Sequence, residues 1–423
     1  MSIRSGYKVK QMDSNTVIET KAQSDADNAC LTEPSFVLLF SIHLNTPFKG
    51  FGTLPSTITP LSTEQSTNYA KRLSEFEIHL LGKTFYDKRR LVRTPLGRIS
   101  LDKQAVNNPS HADVYLLTHK SGVALWEVWI SASSQIFDVP RWIDWLDAES
   151  ETSLVMQVWQ VLGVINEKIT GKTSWSGQYF PITLLKMQNV PLEHVIDIHA
   201  NELISLLFLD HSRKPLKAKV VAEELSRDYC MRESGLTLLG RRSGLDVRVY
   251  DEAEKRDTTQ PPPKSSLPFL ITLELLLLER MVLVHLYERL SRRIPQSIEE
   301  LLTLKHQAMD ALEEYSGAIT NATQFSDAVT IDGERLLGLS DLYAALTERL
   351  ETVSFTITTR YQNQMSLLGF WLTIVFGATE IGFIASGIAV WYYPTELLAV
   401  LGWTVVPTLL SALILWLMLR KKV

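Results

Sequence analysis

Cysteine is nearly absent from the chain. Cys30 and Cys230 are the only two in 423 residues, which excludes a disulfide framework and a cysteine-rich zinc module. A positive surplus is missing too: Lys and Arg number 42 against 47 Asp and Glu, a formal net charge of −5. Without a global positive field to hold phosphates, direct nucleic-acid binding is not expected. The first 27 residues are polar and lack the apolar core of a secretory signal. Phosphate-loop chemistry is missing as well. Thr170-Gly171-Lys172-Thr173-Ser174 has the right ending, but Asn166 stands where the first glycine is required. No nucleophile–base arrangement is visible, so the chain does not read as an enzyme.

Charge is scarcest at one end. From Ser366 to Val423 the only charged side chains are Glu380, Glu396, Arg420, Lys421 and Lys422. Leu367–Tyr393 and Leu397–Leu419 each exceed the ~20 apolar residues that a spanning helix needs. Pro394, Thr395 and Glu396 leave room only for a tight reversal, so the pair reads as a transmembrane hairpin in contact with membrane lipid. Arg420, Lys421 and Lys422 close the chain, Arg360 precedes the first span, and the intervening loop has no Lys or Arg. The positive-inside rule then puts both termini in the cytoplasm and the protein in the cell's inner (plasma) membrane. Trp391, Tyr392 and Tyr393 form an aromatic belt near the outer loop.

Ahead of the hairpin, residues 1–34 read as a polar tail and 35–250 as a cytoplasmic α/β domain. Phe36–Ile42 is a run of buried-strand type. Val114–Leu117 and Val123–Ile130 form a hairpin around Lys120-Ser121-Gly122. Tyr179–Met187 and Gly235–Tyr250 are further strand candidates, the latter broken at Arg241-Arg242-Ser243-Gly244. A helix is expected over about 149–168. Residues 251–268, with a charge run and Pro261-Pro262-Pro263, read as a linker. A helical stalk is expected over 269–365. Its first helix is Leu270–Arg293, and its next is capped by Ser297 and runs to about Ser316. The last begins near Ile331 and continues into the membrane.

Along that last helix, steps of three and four place Arg349, Thr352, Thr356, Thr359, Asn363, Ser366, Phe370, Thr373, Gly377, Glu380, Ile384 and Gly387 on one face. A polar or small face through cytoplasm and bilayer suits a pore-lining helix. Close helix packing, which also favours Gly, Ser and Thr, is the alternative. A pore needs several copies, and Glu380 would then form a carboxylate ring that attracts cations. The alternative for Glu380 is a protonated group bonded within the bundle. Arg241, Arg242 and Arg248 can grip an anionic ligand or form a solvated hairpin face. His194, His199 and His211 match no usual zinc spacing, and metal ligands remain unassigned.

An α/β domain, a long helix entering the first of two terminal spans, a short outer loop and a basic tail resemble the CorA-type magnesium transporter superfamily. Gly387-Ile388 is similar to the family's Gly-Ile, and Pro394-Thr395-Glu396-Leu397 to its Met-Pro-Glu-Leu loop with one residue inserted. Where the family carries its Gly-Met-Asn filter, this chain has Val390-Trp391-Tyr392. The resemblance implies a CorA-like homo-pentamer whose first span lines a pore. It implies Trp391, Tyr392, Pro394 and Glu396 at the outer mouth, and a divalent cation such as Mg2+ as transported or regulatory ion. It also implies an alternative, because divergent members serve prokaryotic antiviral (CRISPR-type) systems as membrane effectors opened by a nucleotide on the cytoplasmic domain. A membrane-anchored binding module without conduction is the third reading.

Overall fold

A computed structural model describes residues 31–44, 58–61, 69, 73, 91–101, 109–119, 122–132, 135–170, 179–188, 190–212, 214–250, 264–292, 295, 297, 299–306, 324–392 and 394–420. Two compact units are present, one of residues 1–288 with 306–345, the other of 289–305 with 346–423.

The first unit is an α/β domain built on one sheet. Its strands are β1 (Leu31–His43), β2 (Ile58–Thr59), β3 (Leu91–Ser100), β4 (His111–His119), β5 (Val123–Ser131), β6 (Gln135–Ile136), β7 (Tyr179–Gln188), β8 (Gly235–Leu239) and β9 (Gly244–Tyr250). They lie in the order β2-β3-β4-β5-β1-β7-β9-β8, with β6 beside the start of β1. The expected hairpin is β4–β5, which pairs Thr118 with Ala124 and Ala112 with Ile130. Gly122 takes φ 85° in its turn, a backbone that side chains rarely adopt. Among the described strands, only β7 and β9 run parallel. A parallel pair needs a long crossover, and α3 (Leu192–Phe208), α4 (Ala218–Leu225) and β8 supply it. Neither of those helices is apparent in the sequence pattern.

β1 sits centrally, and its run Phe36–Phe40 is fully buried because both sheet faces are covered. On one face Phe36 meets the edges of Trp142 and Trp145 from α1 (Val139–Leu146), and Phe40 meets Trp159 from α2 (Leu154–Thr170). The helix expected from 149 starts at Leu154 instead. Residues 147–153 form a turn, and the Ser153 hydroxyl accepts the Met156 N–H at 3.1 Å as the cap.

The other face is covered by α5 (Leu267–Arg292). A Cβ on Gly244 would come within 3.0 Å of the Phe269 ring, so glycine permits the close approach of helix and strand. α6 (Gln324–Leu336) packs with α5, Gly333 lying against Leu276, and Asp332 accepts the Tyr229 hydroxyl at 2.8 Å. Residues 269–288 and 324–345 therefore belong to the compact unit of the sheet, where a separate stalk was expected. The 251–263 part of the expected linker lies outside the described residues, and helix begins within the rest of it. Residues 299–306 are helical, and Ser297 accepts the Glu300 N–H at 3.1 Å. The remainder of that helix, to Ser316, lies outside the described residues.

The helix expected from Ile331 is two helices. α6 ends at Leu336 and α7 (Leu339–Tyr392) starts after Gly338, whose φ is 68°. The Leu337 N–H donates to Gly333 and the Gly338 N–H to Arg335, the C-terminal glycine cap that stops a helix.

A buried ionic knot fastens α5 to the sheet. Arg93 on β3 grips Glu274 with two hydrogen bonds of 3.0 and 2.7 Å, and pairs with Glu127 on β5. Glu127 also accepts from the Tyr69 hydroxyl and from the Trp129 indole N–H. The three charged side chains are 8%, 0% and 2% exposed. Arg93→Ala would strand two carboxylates in the interior, and losing one partner of a buried pair costs about 3–5 kcal/mol. Denaturant unfolding of the detergent-solubilised protein should register that loss. Arg98→Ala, which breaks the half-exposed pair with Asp113, should cost about 1 kcal/mol or less.

Candidate functional site

The second unit carries an antiparallel pair of helices, α7 and α8 (Leu397–Arg420), joined through a turn at Pro394 and Thr395. Both are long and apolar enough to cross a membrane. Apolar side chains lie open along them, Phe383 70% and Leu398 87% exposed among others. Such an apolar surface fits lipid or further copies of the chain far better than water.

One side of α7 is used for packing on α8. Ile374, Ala378, Gly382 and Ala389 are buried there. A Cβ on Gly382 would crowd the Thr408 side chain and come 3.2 Å from the Thr404 carbonyl oxygen. Gly377 abuts Leu415 at the border of this contact. The remaining stripe residues do not take part in it. Asn363, Ser366, Thr373, Glu380, Ile384 and Gly387 are exposed, as is Thr352, while Thr356, Thr359 and Phe370 are half-buried. At ~100° per residue, Glu380 stands two positions from both Ala378 and Gly382, and so points away from α8. Among the described residues no hydrogen bond or ion pair reaches its carboxylate. The hydroxyls of Thr352, Thr356 and Thr373 donate to the carbonyls four residues earlier at 2.9, 2.9 and 2.8 Å. With their protons engaged, these threonines present oxygen lone pairs outward.

Trp391 and Tyr392 end α7, both exposed, with their rings edge to face at 5.1 Å. Pro394 lies in the turn, and Glu396 caps α8 through its carbonyl, which accepts from Ala399 and Val400. Pro407 inside α8 removes one backbone donor.

The three arginines of the β8–β9 region part company. Arg248 is buried and committed. It pairs with Asp246 at 2.8 Å, and bonds Thr237 at 3.1 Å and the Cys230 sulfur at 2.8 Å. Arg241 and Arg242 are exposed on the turn, which is pinned from behind by the Ser243 hydroxyl donating to the Leu207 carbonyl at 2.6 Å. They line a cavity of about 250 Å3 with Ser41, Tyr179, Leu337 and a third arginine, Arg280 of α5. Its Nε–H donates to the Leu337 carbonyl at 3.2 Å. Burial pushes the Tyr179 phenol up, while the Ala148 N–H and the Arg242 charge pull against it. In the sequence Arg280 is one charge among several on a leucine-rich helix. Its convergence with a turn some forty residues earlier has no local signal.

The chain matches no family model, no curated protein and no solved structure.

The candidate histidines are dispersed. His199 bonds Glu202 at 2.5 Å and packs on Phe137, while His211 sits between Asp144 and Asp147. Among the described residues no three metal-ligating groups converge.

Two expectations follow. Glu279 of α5 is buried and faces Glu334 of α6, and burial followed by that neighbour's charge pushes its pKa up to about 7. The folded state therefore holds a proton that the unfolded chain, near 4.5, releases. Stability should fall as pH rises from 4.5 through 7, by on the order of 3 kcal/mol. Glu279→Gln should flatten that part of the profile and raise the melting temperature at pH 8 more than at pH 5. In the hairpin, Gly382→Val should force α7 from α8 at a cost of about 1–3 kcal/mol. Reversible unfolding in mixed micelles should show it, with Gly387→Val, where a Cβ meets nothing within 4 Å, as the neutral comparison.

Proposed function

We propose that the chain is one subunit of a CorA-like homo-oligomeric, pentameric membrane channel that passes cations, with α7 lining the pore. Both termini lie in the cytoplasm, and the α/β domain controls opening. The observation that carries the reading is Glu380. It is the only ionisable side chain between Ser366 and Tyr392, and it is exposed on the side of α7 away from α8. A carboxylate in mid-bilayer costs roughly 2.5–3.5 kcal/mol on insertion scales, so it belongs in an aqueous lumen shared with other copies. The outward oxygens of Thr352, Thr356 and Thr373 extend the same acceptor chemistry along the helix, and such chemistry replaces water around a cation. Without the Gly-Met-Asn filter, Trp391, Tyr392 and Glu396 would form the outer mouth, and Mg2+ is one of the cations to be tried as cargo.

The test is ion flux in liposomes, with magnesium and potassium read separately once wild type conducts. Glu380→Gln keeps shape and removes charge. It should lower cation flux severalfold and leave the ring-shaped assembly intact by mass photometry. Glu380→Lys should oppose cation entry and lower flux further. A stable monomer, or two variants that conduct like wild type, would overturn the reading.

A further inference from the structure

We propose that the cavity at the β8–β9 turn binds a small molecule carrying a di- or triphosphate group. Three guanidinium groups border it, from Arg241, Arg242 and Arg280, and no carboxylate is among its lining residues. Among the described residues Arg241 and Arg242 make no ion pair or hydrogen bond. Contrast Arg248 in the same hairpin, which is held by Asp246 at 2.8 Å. The arrangement leaves a concentrated positive charge around a concave space, and a ligand of matching charge must bear about three negative charges on closely spaced oxygens. A polyphosphate does so, and guanidinium forks bind its oxygens in bidentate fashion.

The frame is built rather than incidental. The turn bearing Arg241 and Arg242 is fixed by Ser243 on Leu207, and by the Gly240 N–H donating to the Ser243 carbonyl at 2.9 Å. Arg280 is oriented by the Leu337 carbonyl, so its Nη atoms remain for a ligand. Ser41 and Tyr179 add hydroxyls at the wall, although the Tyr179 proton is already given to the Leu146 carbonyl at 2.9 Å. Asp147 and Glu149 are the acids whose charge Tyr179 feels. Asp147 is engaged by His211 at 3.0 Å, Glu149 is exposed on the turn before α2, and neither lines the cavity. At about 250 Å3 the space falls just under the roughly 300 Å3 lower bound of ordinary ligand pockets. It suits a phosphate chain, with any attached group reaching towards solvent.

The position bears on the proposed channel. Leu337, whose carbonyl accepts from Arg280, lies two residues before Leu339, where α7 begins. A polyanion held by the Arg280 Nη atoms would sit beside the residue that follows α6. Control of opening by this route rests on the channel reading; binding does not.

Full-length protein in lipid nanodiscs, titrated calorimetrically in magnesium-free buffer with ATP and with tripolyphosphate, tests it. At least one should bind at one site per subunit. Arg241→Ala/Arg242→Ala should weaken it about tenfold or more, since two charge-assisted guanidinium–phosphate contacts are lost together. The charge-matched control Lys217→Ala/Lys219→Ala, exposed on and before α4, should bind like wild type. Tighter ATP would identify an organic phosphate; equal or tighter tripolyphosphate would identify free polyphosphate. No heat with either probe, or equal losses in the two double variants, would overturn the site. Because the readout is heat rather than flux, a failure here is distinguishable from a failure of the channel.

Discussion

The join between the sheet and α5 depends on one buried cation, Arg93. Arg93 comes from β3, Glu127 from β5 and Glu274 from α5, so one guanidinium fastens two strands and the helix that covers them. Burying such charges is costly and is tolerated only when every partner is present. Tyr69 and Trp129 complete the set by donating to Glu127. A knot of this kind gives direction to an otherwise leucine-rich contact. Leucines alone would let α5 slide or rotate over the sheet, whereas a bidentate pair accepts one register.

Much of the sheet was legible because its signals are local. An unbroken apolar run marked β1, and Lys120-Ser121-Gly122 marked the β4–β5 turn. What escaped was set by distant partners. Residues of α5 look like an amphipathic stalk helix when Glu274 and Glu279 are counted as solvent-facing charges. Glu274 is instead neutralised by an arginine 181 residues away. The break at Gly338 did carry a local signal, a glycine after a helical run, which the reading of one continuous helix from Ile331 passed over. At the candidate site, the turn arginines were visible, but Arg248 was grouped with them by proximity. Alternation along a strand explains the error: Arg248 shares a face with Asp246, and their pairing withdraws it.

The hairpin shows how one helix can serve two chemistries. Small residues at Ala378, Gly382 and Ala389 bring the α8 backbone close, which satisfies the contact within the chain. The face bearing Thr373, Glu380 and Gly387 is left for something else. Threonines that spend their protons on the helix backbone keep the surface rich in acceptors, and a carboxylate adds to that bias. Cations rather than anions are the natural complement.

The knot at Arg93 also has a consequence in time. Its strands are synthesised early and Glu274 much later, so the sheet face holding Glu127 cannot be completed until α5 has emerged. Ser366 follows Glu274 by only 92 positions. At ~5–20 residues per second the ribosome covers them in roughly 5–18 s. The first unit must therefore close its interior in the seconds before the apolar helices arrive, and a chain slow to recruit α5 would present an unfinished sheet and those apolar helices together.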